Sequence, residues 1–316
     1  MPRNVDTTLP DLKGRRAVVT GGSDGIGLHI ARRLAAAGAE VVLPVRNTEK
    51  GTAAADHIRA GVPGARVSLQ KLDLSSLRSV QEMSAELRSA GDPIHILVNN
   101  AGLMTPPARQ VTADGFEVQF GTNHLGHVAL VAGLLPLLRS GRARVVSQIS
   151  VAANRGAISW SDPNWERSYD GMAAYSQSKI AMGLFAVELG RRSDEEGWGI
   201  TSVLSHPGVA PTSLLSARPE VGRDDDTRSV RLIRWLSARG LIVGTAETAA
   251  LPALLAATDP DATSGTMYAP RGPGHLGGGP GTQKLFSRLR SVDDARRVWT
   301  ESERLVDVRF PTAADA

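Results

Sequence analysis

The chain of 316 residues contains no cysteine, which excludes disulfides and thiolate-bound zinc. Aromatic side chains make up only 4% of it, too few for the stacked platforms that hold single-stranded nucleic acid. Charge of one sign is nowhere concentrated. The net charge is +4, but the arginines (Arg32, Arg33, Arg191, Arg192, Arg231, Arg234) are scattered, and no block of five like charges occurs. That pattern reads as a solvated basic surface, and nucleic acid is not the expected ligand. No stretch approaches about 18 consecutive apolar residues, and the opening MPRNVDTTLPDLKGRR has no apolar run after its charges. Neither a membrane anchor nor a signal peptide is expected, and a cytoplasmic soluble protein is. His124, His127 and His206 form no metal-ligand pattern with carboxylates, so they are expected to be structural.

What is present is a regular alternation. Short β-branched runs at 15–20, 39–45, 65–73, 93–100, 142–150 and 198–206 predict strands. Ala/Leu-rich amphipathic runs at 26–38, 48–61 and 75–91, and a long one at 114–139, predict helices between them. The strands lack a polar/apolar alternation, as expected when both faces of a parallel sheet are covered. The expected fold is one α/β domain over 1–316: a doubly wound, Rossmann-type parallel sheet of about seven strands with helices on both faces. Beyond Pro207 the pattern loosens. A mobile flap is expected at 209–240, a helix at 245–259, a Gly/Pro-rich loop at 263–284 after a seventh strand, and a C-terminal helix at 291–306.

Between the first strand and first helix lies VVTGGSDGIGLHI, with Gly21, Gly25 and Gly27 spaced G-x-x-x-G-x-G. Such glycines allow a tight turn and close approach of backbone to a phosphate, which the helix N-terminus then binds. Ser23, Asp24 and Ile26 complete the loop. At the end of the second strand, where an acid usually binds the ribose of NAD, stand Val45 and Arg46. An arginine suits a 2′-phosphate, so NADP(H) is favoured, with NAD(H) as the alternative. Asp24 argues against this, because a phosphate prefers a basic neighbour.

In AAYSQSKIAMGLF, Tyr175 and Lys179 are four residues apart on a predicted helix, hence on one face. An ammonium beside a phenol is expected to lower its pKa and make it a proton donor or acceptor for carbonyl chemistry. Together with TGGSDGIG at 20–27, NNAG at 99–102, TNHLGH at 122–127, YSQSK at 175–179 and HPG at 206–208, the chain resembles the short-chain dehydrogenase/reductase family over at least residues 14–212.

The resemblance implies that Ser150 donates a hydrogen bond to the substrate oxygen and Tyr175 transfers the proton. Lys179 binds the nicotinamide ribose and tunes Tyr175, and Asn123 holds a water that links Lys179 to solvent. Asn100, Ala101 and Gly102 line the cofactor, Asp73 and Leu74 meet the adenine side, and the backbone at Pro207 and Gly208 covers the nicotinamide. Ser147 is the alternative to Ser150, and Asn123 could instead tie backbone together. Ile149 stands where the family often has a second serine. Twenty-five positions separate Ser150 from Tyr175, an insertion that carries Trp160, Trp165 and Tyr169. With TNHLGH and YSQSK, this insertion is similar to the branch containing retinol dehydrogenases, WW-domain oxidoreductases and protochlorophyllide reductases.

Met104 with Leu103, Trp160 and Trp165 of the insertion, and Leu214, Leu215 and Trp235 of the flap are the candidate pocket walls. They could equally pack on the protein itself or on a second subunit. The expected activity is NADPH-dependent reduction of a bulky hydrophobic ketone or aldehyde, with Tyr175 as general acid. The alternatives are an NAD(P)+-dependent alcohol dehydrogenase working oxidatively, a non-catalytic NADP(H)-binding sensor, and a structural partner in an enzyme complex. The resemblance also implies a homodimer or homotetramer, joined through the helices at 114–139 and 172–192.

Overall fold

The computed structural model describes residues 6–211, 235, 237 and 243–312. Eight strands form one sheet: β1 (Arg16–Val19), β2 (Glu40–Val45), β3 (Arg66–Lys71), β4 (Ile96–Asn99), β5 (Arg144–Gln148), β6 (Thr201–Ser205), β7 (Met267–Pro270) and β8 (Pro280–Gln283). Their order is β3-β2-β1-β4-β5-β6-β7-β8, parallel except for the β7–β8 hairpin. The described helices are α1 (Gly25–Ala36), α2 (Thr48–Gly61), α3 (Leu77–Ala90), α4, α5 (Gly171–Glu195), α6 (Ala246–Thr258) and α7 (Val292–Val306). Helix α4 joins Val118–Phe120, a π-helical turn Gly121–Leu125 and Gly126–Ser140.

Alternate strand residues feed two cores. Ala17, Val19, Val41 and Leu43 pack with Ile30, Ile58 and Leu254 of α1, α2 and α6. Val18, Val42, Leu97 and Val145 pack with Val80, Leu134, Phe185 and Trp299 of α3, α4, α5 and α7. Both faces are thus buried, which explains the continuous apolar runs. The chain reverses its winding between β1 and β4, which pair in register Val18↔Leu97, so a crevice opens beyond their carboxyl ends.

Two expectations are corrected. The Gly/Pro-rich stretch 263–284, read as loop, contains both strands of the β7–β8 hairpin. Its pairing runs from Met267↔Gln283 to Pro270↔Pro280, and Pro280 is tolerated because β8 is an edge strand. The helix expected from Asp114 begins at Val118, because the Glu117 carboxylate caps it there, accepting from the Gln119 and Phe120 amides at 3.0 and 2.7 Å. The expected flap at 209–240 lies mostly outside the described residues.

Candidate active site

A cavity of about 1390 Å³ opens over the carboxyl ends of the central strands. Gly21, Ser23, Asp24, Gly25, Ile26 and Gly27 form one wall. The loop is tight: Gly21 has φ +65°, and a Cβ on Gly27 would sit 2.2 Å from the Gly21 carbonyl oxygen. Of the first-turn amides of α1, Gly25 donates to the Asp24 carboxylate and Leu28 to the Asp24 carbonyl, which leaves those of Ile26 and Gly27 for an anion. Asp24, the residue that argued against a phosphate, is already engaged. Its carboxylate accepts from the Gly25 amide at 2.7 Å and pairs with Lys50 at 2.6 Å. Arg46 lines the cavity after the buried Val45. Asp73, Leu74, Asn100, Ala101, Gly102, Met104, Pro207 and Gly208 line it too. Asp73 accepts from the amide and hydroxyl of Ser75 at 2.9 and 2.6 Å.

Ser150, Tyr175 and Lys179 meet in the middle of this cavity. Ser150 caps the turn that follows β5, and its hydroxyl hydrogen-bonds the Tyr175 phenol. Lys179 is buried, and its Nζ donates to the Gln148 carbonyl at 3.0 Å and lies 5.9 Å from the centroid of the Tyr175 ring. Burial pulls the Lys179 ammonium down to about 8. Burial also pushes the Tyr175 phenol above its ordinary value, opposed by the Ser150 hydrogen bond. This corrects the expected lowering by Lys179: desolvation of the phenol prevails here, and the phenol stays protonated at neutral pH. Ser147 is fully buried in β5 and does not line the cavity.

Asn123 lies behind the cavity, in the π-helical turn closed by the Gly126 amide donating to the Gly121 carbonyl. Its side chain accepts from the Leu103 amide and donates to the Leu103 carbonyl, both at 2.9 Å, and donates to Ser178 Oγ at 3.0 Å. It therefore ties the segment after β4 to α4 and α5, the role weighed above as the alternative to holding water.

Two residues that the sequence reading missed, Thr20 and Gln148, complete the site. Asn100 donates to the Thr20 carbonyl at 2.8 Å and accepts from Gln148 Nε2 at 3.1 Å. Since Gln148 also receives Lys179, a chain of hydrogen bonds runs from the glycine loop to the lysine. His127 fixes its near end. Its Nδ1 must donate to the Asn123 carbonyl at 3.1 Å, so its Nε2, 3.0 Å from Thr20 Oγ1, accepts. Burial holds His127 neutral, down to about 4, with the Asn123 bond opposing and the Lys179 charge assisting. The other two histidines are also bonded: His124 to Ser302 at 2.7 Å, and His206 to Gln283 at 3.0 Å. Thr20 is the residue before Gly21 and Gln148 stands two before Ser150, but no spacing marks either.

The far wall differs from expectation. Trp160 and Trp165 do not line the cavity; Trp160 lies under Arg297 of α7, whose Cζ is 4.0 Å from its ring centroid. Trp235 is 49% exposed and does not line the cavity either, and Leu214 and Leu215 lie outside the described residues. The wall comes from Met104, Ile149, Val151 and Met172, and from Leu276, Leu285 and Phe286 of the C-terminal hairpin and the turn after it. The Val209 amide donates to the Leu276 carbonyl at 2.9 Å, which fastens that hairpin over the Pro207–Gly208 backbone.

Residues 15–221 match the family described as short chain dehydrogenase. The chain belongs to the short-chain dehydrogenase family. Human retinol dehydrogenase 13 is 37% identical over 314 residues, which are 98% of this chain and 88% of that protein. Mouse polyprenol dehydrogenase is 41% identical over 65% of this chain and 63% of its own length. Among solved structures, a Mycobacterium paratuberculosis protein superposes with TM-score 0.77 at 33% identity, covering 96% of this chain and 97% of that one. An NADP complex of Pseudomonas aeruginosa RhlG superposes with TM-score 0.61 at 28% identity, over 81% of this chain and 94% of that one. Short-chain dehydrogenases use a nicotinamide dinucleotide, and the residues present fit one. The loop offers α1 amides to a phosphate, Arg46 lies at the end of β2, and Ser150, Tyr175 and Lys179 converge.

Proposed function

We propose that this short-chain dehydrogenase reduces the ketone or aldehyde of a bulky hydrophobic molecule to the alcohol, with NADPH. The observation that carries this reading is the convergence of Ser150, the buried Tyr175 and the buried Lys179 on one cavity, where burial holds the phenol above its ordinary value. A protonated phenol can donate and cannot accept, which suits reduction. Oxidation of the alcohol is the reverse direction, and it gains as pH rises.

The nicotinamide, when bound, supplies the hydride. The chain's own groups do the rest. Ser150 and Tyr175 hold the carbonyl oxygen, and Tyr175 gives it a proton as charge develops there. Lys179 places a positive charge behind the phenol, which stabilises the phenolate left after transfer. Gly21–Gly27 would hold the pyrophosphate and Arg46 the 2′-phosphate. Asp73 and Leu74 would border the adenine; Asn100–Gly102 and the Pro207–Gly208 backbone would border the nicotinamide half. The apolar residues Met104, Ile149, Val151, Met172 and Phe286 line the cavity and support a hydrophobic substrate, as do relatives named for retinol and polyprenol.

The test is a panel of hydrophobic aldehydes and ketones assayed with NADPH and with NADH. NADPH is expected to be preferred, and Tyr175→Phe is expected to lower kcat by about 10²- to 10⁴-fold. Undiminished turnover by that variant would overturn the assignment of the proton donor.

A further inference from the structure

We propose that the substrate carries an anionic group, a carboxylate or a phosphate ester, at the end of its hydrophobic body remote from the carbonyl. This rests on the reductase reading above and names the substrate class for the same cavity.

The turn after Ser150 (Val151–Asn154) packs against the turn at Ser287–Leu289. Arg155 directly follows the first turn and Arg290 the second, and both line the cavity, as does Lys284 at the end of β8. The cavity therefore carries three cations on the C-terminal side of β5 and β8, in addition to Lys179, which is tied to Gln148. Among the described residues, the carboxylates that line the cavity are Asp24 and Asp73. Asp24 is paired with Lys50. Asp73 follows β3, four strands across the sheet from β5, or about 19 Å at the usual strand spacing. Among the described residues, Arg155, Lys284 and Arg290 form no ion pair.

Arg290 is also pre-set. Its Nε and Nη2 both donate to the Leu285 carbonyl, at 2.8 and 2.6 Å, which fixes the guanidinium plane and leaves Nη1 for another acceptor. A guanidinium held in place loses little freedom on binding an oxyanion. All three cations are solvent-exposed and, among the described residues, have no carboxylate partner, so an anion at the mouth of the cavity gains a charge attraction that a neutral ligand does not. The cofactor's phosphates have their own partners at the other end of the crevice, in the glycine loop and Arg46.

The experiment uses three matched long-chain aldehydes that end in a carboxylate, a phosphate monoester or a methyl ester. With NADPH in excess and at low salt, kcat/KM is expected to be about 10-fold higher for at least one anion than for the ester. The gain should shrink as salt is added, and the carboxylate and phosphate arms show which anion the site takes. Arg155→Gln and Arg290→Gln are each expected to reduce the anion-to-ester ratio several-fold. Arg155 makes no side-chain hydrogen bond among the described residues, so its variant carries the test if Arg290→Gln fails to fold.

An ester that matches both anions, or a ratio unchanged in the variants, overturns the proposal. So does a raised KM for NADPH in both variants with no change in the ratio, which would assign these cations to the cofactor. If no aldehyde turns over, the reductase reading fails and calorimetry decides the substrate class. Tyr175→Phe protein loaded with NADP+ is titrated with the corresponding alcohols. Tighter binding of an anionic alcohol than of the ester sustains the proposal, and equal binding ends it.

Discussion

Tyr175 and Lys179 compete for the same low-dielectric space, and burial moves both toward their neutral forms. For Lys179 the consequence has a defined pH window. Its folded value of about 8 lies below the ordinary 10.5, so the native state releases the proton first. Between those values the unfolded chain binds more protons, and stability rises with pH. Activity should move the other way, because the charge behind the phenol disappears. The pH profile of kcat/KM for reduction is expected to fall above about pH 8, and a rate level to pH 10 would remove the ammonium from the mechanism. Arg46 supports a second prediction: Arg46→Ala should raise the KM for NADPH about 10- to 100-fold and leave that for NADH nearly unchanged, since a guanidinium–phosphate contact contributes about 1.5–3 kcal/mol. That Ser150, Tyr175, Lys179 and Arg46 share one cavity was legible in the sequence because spacing and strand ends mark them. Thr20 and Gln148 were not, because much of what they do is done through backbone carbonyls, which any residue type supplies.

At the scale of elements, the insertion between Ser150 and Tyr175 was legible as an insertion but not in its purpose. Asn164 Oδ1 accepts from the Glu117 amide at 2.5 Å, and Gln119 Nε2 donates to the Tyr169 hydroxyl at 3.1 Å and to the Gly171 carbonyl at 2.9 Å. The insertion is thus fastened to the start of α4 and does not face the substrate with its tryptophans. Glu117 is the centre of this joint. Burial raises its carboxyl, and hydrogen bonds from Phe120, Gln119 and Tyr169 oppose that rise. Glu117→Ala leaves two buried amides without acceptors and is expected to cost about 1–3 kcal/mol in urea denaturation. It should also increase proteolysis within 155–170, whereas a variant as stable and as resistant as the parent would remove the joint. The β7–β8 hairpin escaped the sequence reading for a related reason. Strands of four residues interrupted by proline or glycine carry no periodic signal, and only the pairing of β7 with distant β6, and of β8 with β7, makes them strands.

Across the whole molecule, the C-terminal helix decides which surfaces remain. Trp299 of α7 stacks on Phe185 of α5 at 5.1 Å and meets Phe310 at 4.3 Å, while Ser302 takes the hydrogen bond from His124 of α4. Arg192 of α5 caps the cluster, with its Cζ 4.6 Å from the Trp299 ring centroid. Deleting so large a buried ring costs about 3–5 kcal/mol, so Trp299→Ala should lower the urea midpoint sharply with little change in slope. The same packing bears on assembly. Helices at 114–139 and 172–192 were expected to meet a second copy, yet the α4 segment from Gly126 to Leu138 is exposed only at Pro136, and α5 between Ala174 and Ser193 has no exposed residue. Those faces are covered by α3 and α7 of the same chain. A partner docking there would have to displace α7, at the cost of the Trp299 cluster. Light scattering is therefore expected to give the single-chain mass of 33.4 kDa, or else a dimer that survives charge substitutions at Arg139 and Asp194 on these helices. A dimer abolished by those substitutions would show that α7 yields the surface to a second copy.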